Sequence, residues 1–333
     1  MDIFINKMGP GLSSNKTITK SRDHLSSVKP YYYISPHEVK MNLLKDGRII
    51  CYEKLEKDIK IYRIINNNFS QDLTFSIEFD KENKDRGPCM MYEIEDNIIL
   101  FGAYRELNLL DIKSIEILQK INLDYEQYIY NILQLSNGLI AINNVGKIYF
   151  YYYDKNKKEI EKKDELEIGM DINEIYEIVN GYILIFTGNK VFLYNLNNKE
   201  MKEIILDKNY RWCVFKIIDN YLLVSYSEDE NNITKSHIDI YKINLEEKFQ
   251  FHQGLTFDYP FWITKFVKLN EKKLIAGDNE GNFYEFEISE NFHLINKDIF
   301  KAHDYGITHL CKFNDNKIIS TSKEGIAKLW EFN

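Results

Sequence analysis

The most regular pattern along the chain is a short polar turn followed by two or three apolar residues. Asn-Gly and Asp-Gly pairs accept the positive φ angles of a two-residue hairpin, so such a turn predicts a junction between two antiparallel strands. The pattern occurs seven times, at 46–50, 96–100, 137–140, 180–184, 219–223, 270–275 and 314–319. Successive turns lie about 45 residues apart, which fits a repeated unit of four strands.

A second series of residues keeps the same register. Shortly after each apolar run, a strand with alternating apolar positions carries one large side chain: Tyr62, Leu110, Tyr151, Tyr194, Tyr241, Phe286 and Trp330. In most units a charged, weakly alternating strand follows, as expected for the outer and solvated edge of a sheet. Two markers with one period predict an all-β fold of seven four-stranded units, which is a seven-bladed β-propeller.

The last unit resembles the WD40 family most closely. After His303 it continues with Ile307 to Phe313, then Ser320-Thr-Ser-Lys-Glu-Gly325, and ends on Leu329-Trp330-Glu331. The sequence departs from the family pattern where Ala302 replaces a glycine and where Glu324 and Glu331 each replace an aspartate. The resemblance implies a WD40-type propeller, and it implies that four side chains form one hydrogen-bonded network that ties the turns to the strands: His303, Ser320, Glu324 and Trp330.

The last unit contains only three predicted strands. We therefore expect the chain to supply the missing outer strand from residues 28–34 and so to close the ring, because closure removes unpaired sheet edges. Residues 1–27 contain Gly9-Pro10-Gly11 and are expected to form a flexible tail. Residues 28–333 then form a single seven-bladed propeller.

Composition and motifs narrow the classes of function. The net charge of −8 opposes direct binding to nucleic acid, which needs a basic footprint. The chain has no apolar run of membrane-spanning length and no secretory signal, so we expect no membrane association and a cytoplasmic or nuclear location. Four widely spaced cysteines predict buried thiols and not a zinc cluster. Nucleophile and metal-ligand motifs are missing from the sequence, so we expect neither an enzyme nor a bound cofactor or metal.

The loops that link the outer strand of one unit to the first strand of the next converge on one side of a propeller, which we call the loop face. Aromatic residues and arginine dominate the energetics of protein interfaces. The predicted loop face carries several of them: Arg86, Tyr128, Arg211, Trp212, Phe261, Trp262 and Tyr305. This indicates a scaffold that binds other proteins or peptides, monomeric within a hetero-complex.

Two other interpretations of these residues stay open. The tryptophans of the loop face also fit plain packing between units. Alternatively, the protein is a propeller enzyme, or a binder of a small molecule or metal, that uses a central channel lined by Lys40, Asn131, Glu174, Lys265 and His309.

Overall fold

The structure is a computed structural model, and β-strands account for most of it. It describes residues 25–27, 39–53, 58–76, 90–103, 106–123, 129–179, 181–188, 190–208, 210, 213–230, 233–245, 249–257 and 261–332. Within these ranges there is no α-helix, and therefore no helix with the length and apolar character needed to cross a bilayer.

Twenty-seven strands form within the described ranges, and one 3-10 turn, Glu290–Phe292, precedes β24. The strands are β1 (Leu25–Ser27), β2 (Val39–Leu43), β3 (Ile49–Glu53), β4 (Asp58–Ile65), β5 (Asn68–Ser76), β6 (Met90–Glu95), β7 (Ile98–Ala103), β8 (Glu106–Asp111), β9 (Glu116–Asn122), β10 (Asn131–Gln134), β11 (Leu139–Asn143), β12 (Val145–Asp154), β13 (Glu159–Val179), β14 (Tyr182–Thr187), β15 (Val191–Asn195), β16 (Met201–Ile204), β17 (Val214–Ile218), β18 (Tyr221–Glu230), β19 (Ile233–Lys242), β20 (Gln250–Phe257), β21 (Ile263–Asn270), β22 (Lys273–Asp278), β23 (Asn282–Ile288), β24 (Leu294–Lys301), β25 (Ile307–Asn314), β26 (Lys317–Ser322) and β27 (Ala327–Phe332).

The sheets follow the order of the chain. Strands β2 to β5, β6 to β9, β17 to β20 and β21 to β24 form four antiparallel sheets of four strands each. Strands β25 to β27 form another four-stranded sheet with β1, and β10 to β16 form one sheet of seven strands. The predicted all-β fold is confirmed, and successive antiparallel sheets of this kind are consistent with a propeller.

The hairpin turns adopt the backbone conformation that the sequence predicts. Gly47, Asn97, Gly138, Gly181 and Asp219 all have positive φ angles, between 53° and 87°. Glycine and short polar residues tolerate this region because they avoid or offset the Cβ clash. Of the large side chains in the second series, six are nearly fully buried in the third strand of their unit, while Tyr62 is half-buried.

The seven-stranded sheet departs from the predicted pattern. The repeat predicts a charged outer strand for the third unit and a separate first strand for the fourth, yet the chain runs through both as the single strand β13. Gly169 lies within it at φ +70° and faces Gly146 at φ +81°, where β12 and β13 change register. Glycine adopts these positive φ angles without a Cβ clash, and the two units share one strand with no loop between them.

The hydrophobic core is divided into clusters between neighbouring units. Phe283 packs against Trp330 with ring centroids 5.3 Å apart, and this contact joins the sixth unit to the last. A further cluster joins the first unit to the last, with Met41 and Ile49 against Ile319 and Leu329. The first strands of successive units also touch, and β25 contacts β2.

The N-terminal pairing differs from the expected one in position. Leu25–Ser27, within the stretch predicted as a tail, pairs with β27 from Leu25 opposite Phe332 to Ser27 opposite Trp330. The stretch 28–34, predicted for this role, lies outside the described residues, as do 1–24.

Two glutamines connect the outer strands of neighbouring units by imitating a peptide group. Gln119 on β9 donates to the carbonyl of Ile160 (3.1 Å) and accepts from its N–H (2.7 Å). Gln253 on β20 does the same with Leu294, at 2.9 and 2.8 Å. A side-chain amide carries one donor and one acceptor in peptide-like geometry, so each glutamine joins two units that share no strand pairing at that point.

Candidate functional site

The four side chains implied by the WD40 resemblance lie in one chain of hydrogen bonds. His303 Nδ1 is 2.9 Å from Glu324 Oε1, and His303 Nε2 is 2.7 Å from Ser320 Oγ. Trp330 Nε1 donates to the same Ser320 Oγ at 2.8 Å. His303 and Ser320 are almost completely buried. The network therefore links the turn before β25 to β26 and β27.

The charge states of His303 and Glu324 determine the direction of each hydrogen bond. Burial lowers the pKa of His303 to about 4, so the ring is neutral at pH 7. Partial burial works against the charge on Glu324, but the hydrogen bonds from His303 and Ser322 and the nearby charge of Lys328 together outweigh it and lower the pKa of the carboxyl. Because a carboxylate only accepts, Nδ1 carries the proton, Ser320 donates to Nε2, and Ser320 accepts from Trp330.

This network predicts a loss of stability in mild acid. An unfolded histidine has a pKa near 6.5, whereas His303 stays neutral in the folded state down to about pH 4. Between pH 6.5 and 4 the unfolded chain therefore binds one proton more at this histidine than the folded protein does. The stability that the neutral His303 contributes is complete above pH 6.5 and disappears as the pH falls toward 4. When the pH is lowered from 7.5 to 5, the free energy of unfolding measured in urea should fall by about 2 kcal/mol more in the wild type than in His303→Gln. If the free energy of unfolding depends on pH equally in the two proteins, His303 has the ordinary pKa of a histidine in the folded state.

The fifth unit contains a second buried network, centred on Asp239 of β19. Its Oδ2 accepts from the hydroxyls of Tyr210 (2.7 Å) and Tyr226 (3.0 Å) and lies 3.1 Å from Lys208 Nζ. Lys208 also donates to the Tyr226 hydroxyl at 2.6 Å, and the Tyr241 hydroxyl contacts that of Tyr210. Asp239 is 3% exposed, so its charge is compensated by donors instead of water.

The pKa values of this cluster follow from its burial. Burial, with contributions from Tyr241 and Asp239, raises the pKa of Tyr210 far above its usual value, and burial raises that of Tyr226 to about 12. Partial burial disfavours the charge on Lys208, but its hydrogen bonds to Tyr226 and Asp239 raise the pKa of the ammonium. Both tyrosines therefore stay protonated at neutral pH and act as donors to the carboxylate.

The sixth unit repeats this arrangement with Asp278. Its carboxylate accepts from the N–H groups of Glu280 and Asn282, from the Asn282 amide and from the Tyr284 hydroxyl, at 2.8 to 2.9 Å. Sequence reasoning did not single out Asp239 or Asp278. A sequence feature shared by both was present: a tyrosine in the third strand of the unit follows each aspartate, two residues after Asp239 and six residues after Asp278.

The described part of the loop face centres on Trp262 and Tyr305. The backbone N–H of Trp262 donates to Asn279 Oδ1 at 2.6 Å, and the backbone N–H of Asn279 donates back to the Trp262 carbonyl at 2.9 Å. A Cβ at Gly306 would lie 2.5 Å from the Asn279 carbonyl, so the loop of Tyr305 rests directly on this pair. The Tyr305 side chain is 61% exposed. Trp262 is half-buried, and its indole N–H is buried without a hydrogen-bond partner.

The other predicted residues of the loop face fall into two groups. Phe261 is 4% exposed and packs against Phe257 and Tyr284, with centroids 5.4 and 4.6 Å away. Its side chain therefore belongs to the core between the fifth and sixth units, and its backbone N–H and carbonyl are hydrogen-bonded to the buried Ser236 hydroxyl. Four further predicted residues lie outside the described residues: Arg86, Tyr128, Arg211 and Trp212.

The alternative channel residues occupy the first strands of their units. Asn131, Glu174, Lys265 and His309 are half-buried, and the side chain of Lys40 lies outside the described residues. Glu174 accepts a hydrogen bond from the Tyr176 hydroxyl. In the described ranges, no group of three or more His, Cys, Asp or Glu is arranged to hold a metal ion.

The described cysteines lack the features of a reactive thiol. Cys51, Cys213 and Cys311 are free, and burial raises the pKa of each to about 12. With these raised pKa values the three thiols remain protonated at neutral pH, whereas a nucleophilic cysteine needs a lowered pKa. Cys89 lies outside the described residues.

A small cavity opens beside the Asp239 network. It has a volume of about 200 Å³ and is lined by Lys190, Glu203, Ile205, Lys208, Tyr210 and neighbouring residues of the fourth and fifth units. Pockets for small molecules usually measure about 300 to 1,000 Å³. This cavity is too small to bind such a molecule, and it is a depression in the surface of the fourth and fifth units.

Comparisons with known proteins point to the fold alone. No protein-family model matches the chain, and no curated protein matches it. Among solved structures, it is similar to a chain of the mitotic checkpoint complex, with 9% identity over 99% of this chain and 98% of that chain and a TM-score of 0.68. It is also similar to BBS1N, solved in complex with ARL6DN, with 13% identity over 91% and 93% and a TM-score of 0.64. The computationally designed Ika8 protein matches 92% of this chain over its full length, with 13% identity and a TM-score of 0.59. These similarities support a propeller fold.

Proposed function

We propose that the chain is a seven-bladed propeller of the WD40 type that acts as a non-catalytic scaffold for protein partners. Hydrophobic clusters between successive units and the contact of β25 with β2 support a closed ring of seven blades. The pairing of Leu25–Ser27 with β27 supports closure by an N-terminal strand. The network of His303, Ser320, Glu324 and Trp330 supports the WD40 type.

The observation that carries the functional proposal is the local structure of the loop face. Tyr305 projects into solvent from a loop that rests on the Trp262–Asn279 pair. Large aromatic side chains that are already held in place lose little conformational entropy on binding, which makes them effective anchors for a protein partner.

The similar structures are consistent with this role. BBS1N is described in complex with ARL6DN, and another similar chain belongs to the mitotic checkpoint complex. Both proteins use a related architecture within assemblies, and we propose the same general use for this chain. The partner and the cellular compartment stay predictions from the sequence.

The double variant Trp262→Ala/Tyr305→Ala should lose its partners while keeping its fold. Interface anchors typically contribute about 2 kcal/mol or more, which is roughly thirtyfold in affinity. Quantitative mass spectrometry of tagged protein purified from its native cells should therefore show depletion of specific co-purifying proteins. The melting temperature, measured in parallel, reports whether the variant is folded.

Phe251→Ala provides the matched control, because Phe251 is 51% exposed but lies on the outer strand β20. It should retain the partners. A double variant that is folded and keeps all its partners would refute the loop face as the binding surface, whereas one that unfolds would assign Trp262 and Tyr305 to the core.

A further inference from the structure

Two histidines lie close together on the outer part of the fifth and sixth units, away from the loop face. His252 is on β20, and His293 directly follows the 3-10 turn Glu290–Phe292. Their ring centroids are 4.5 Å apart, and the ring planes are inclined by 34°. His252 is half-buried and His293 is exposed. Nothing in the scaffold role requires this pair.

The turn that carries His293 is held in an unusual conformation by aromatic contacts. Asn291 and Phe292 have φ angles of 59° and 61°, a region that costs free energy for residues other than glycine. The Phe292 ring stacks on Tyr221 at 4.3 Å with an angle of 8°, and the Tyr221 hydroxyl donates to the Asn291 carbonyl at 3.2 Å. Tyr221 also lies 5.1 Å from the His252 ring. Its ring and hydroxyl thus position both histidines.

One nitrogen of the pair has an unused lone pair. His252 donates a hydrogen bond to the Asn291 backbone carbonyl, and its Nε2 is buried without a hydrogen-bond partner. The proton is therefore on Nδ1, and Nε2 is an acceptor. A histidine that ligates a metal commonly donates its other N–H to a carbonyl, which fixes the tautomer and the ring orientation.

The charges around the pair bear on which ligand it accepts. Lys242 lies close enough to act electrostatically on His252. Lys242 disfavours a cation at this position, whereas Glu290, on the turn itself, contributes a negative charge. The choice of metal is then set by the imidazole nitrogens.

We propose that His252 and His293 form a surface site for a divalent transition-metal ion. The two imidazoles supply two ligands, and water fills the remaining positions. Binding requires the exposed His293 ring to rotate, which uncovers the buried Nε2 of His252 and brings a His293 nitrogen toward the ion. Imidazole favours Cu²⁺, Ni²⁺ and Zn²⁺, whereas Mg²⁺ and Ca²⁺ require oxygen ligands.

The site can be tested on the full chain with the metals alone. Isothermal titration with CuCl₂, ZnCl₂, NiCl₂ and MgCl₂ at pH 7.5 should show one equivalent of binding for the first three, tightest for Cu²⁺, and none for Mg²⁺. His252→Ala and His293→Ala should each weaken Zn²⁺ binding roughly tenfold or more. Because both ligands act on one ion, the loss of affinity in the double variant should be smaller than the two single losses multiplied together.

His309→Asn serves as the control, since it removes a histidine that lies in the last unit instead of at the pair, and it should bind Zn²⁺ as the wild type does. The exposed His293→Ala keeps the test decisive if His252→Ala fails to fold. Wild-type affinity in His293→Ala, or an equal loss in His309→Asn, would overturn the proposal, as would wild-type binding only at millimolar Zn²⁺.

Discussion

Trp330→Ala should lower the free energy of unfolding by about 3 to 5 kcal/mol, the usual cost of deleting a large buried aromatic side chain. Trp330 is 6% exposed and packs against Phe283 and Phe300, with centroids 5.3 and 6.1 Å away. The substitution leaves a cavity between the sixth unit and the last and removes the N–H that donates to Ser320. Urea unfolding followed by fluorescence or circular dichroism measures the change.

Trp330→Phe separates the two contributions, because it keeps most of the ring contact and loses only the indole N–H and some volume. It should cost about 1 to 2 kcal/mol. A loss below about 1 kcal/mol for Trp330→Ala would mean that the last unit does not depend on this side chain and that the cluster around it contributes little to the fold.

Asp239→Ala should destabilise the protein by about 3 to 5 kcal/mol, because removing one member of a buried charged network leaves its partners unpaired. The hydroxyls of Tyr210 and Tyr226 both donate to this carboxylate from positions that are 3% and 5% exposed. Lys208 is about half exposed and regains water, so the penalty arises mainly from the two hydroxyls. Denaturant unfolding at pH 7 reports the loss.

A rescue experiment tests this explanation. Adding Tyr210→Phe and Tyr226→Phe to Asp239→Ala removes the orphaned donors and should restore part of the stability, since replacing both partners by apolar groups costs little. Asp315→Ala is the control: this aspartate is exposed and pairs with Lys312 at 2.6 Å, so it should cost less than about 1 kcal/mol. If the triple variant is less stable than Asp239→Ala alone, the two hydroxyls are stabilised by partners other than Asp239, such as Lys208 and the Tyr241 hydroxyl.

Side-chain periodicity was sufficient to predict most of the strands. Leu110, Tyr151 and Phe286 are buried in the third strands where the spacing predicted them, because an apolar residue in a given register must face a neighbouring unit. The turns at Gly47 and Gly138 were predictable for a local reason, since their backbone conformation depends on residue type. In both cases the information is confined to a few neighbouring residues.

The candidate site was predictable only in part. The hydrogen bonds of His303 join residues that the family pattern already relates, so their proximity could be expected from the resemblance. Phe261 was expected at the surface and is buried, because the loop path, which the sequence does not specify, turns its ring toward Tyr284. The Asp239 network joins residues 29 positions apart that belong to no motif, so only packing brings them together.

The amino-acid sequence by itself determined the strand spacing, the hairpin turns and the all-β class, because these follow from the alternation of apolar residues and from the backbone preferences of Gly, Asn and Asp. Only the tertiary structure decided which units share β13, which N-terminal residues pair with β27, and which polar side chains meet, as in the pair of His252 and His293. Those features depend on contacts between residues far apart in the chain, where small differences in loop path and packing determine which groups become neighbours.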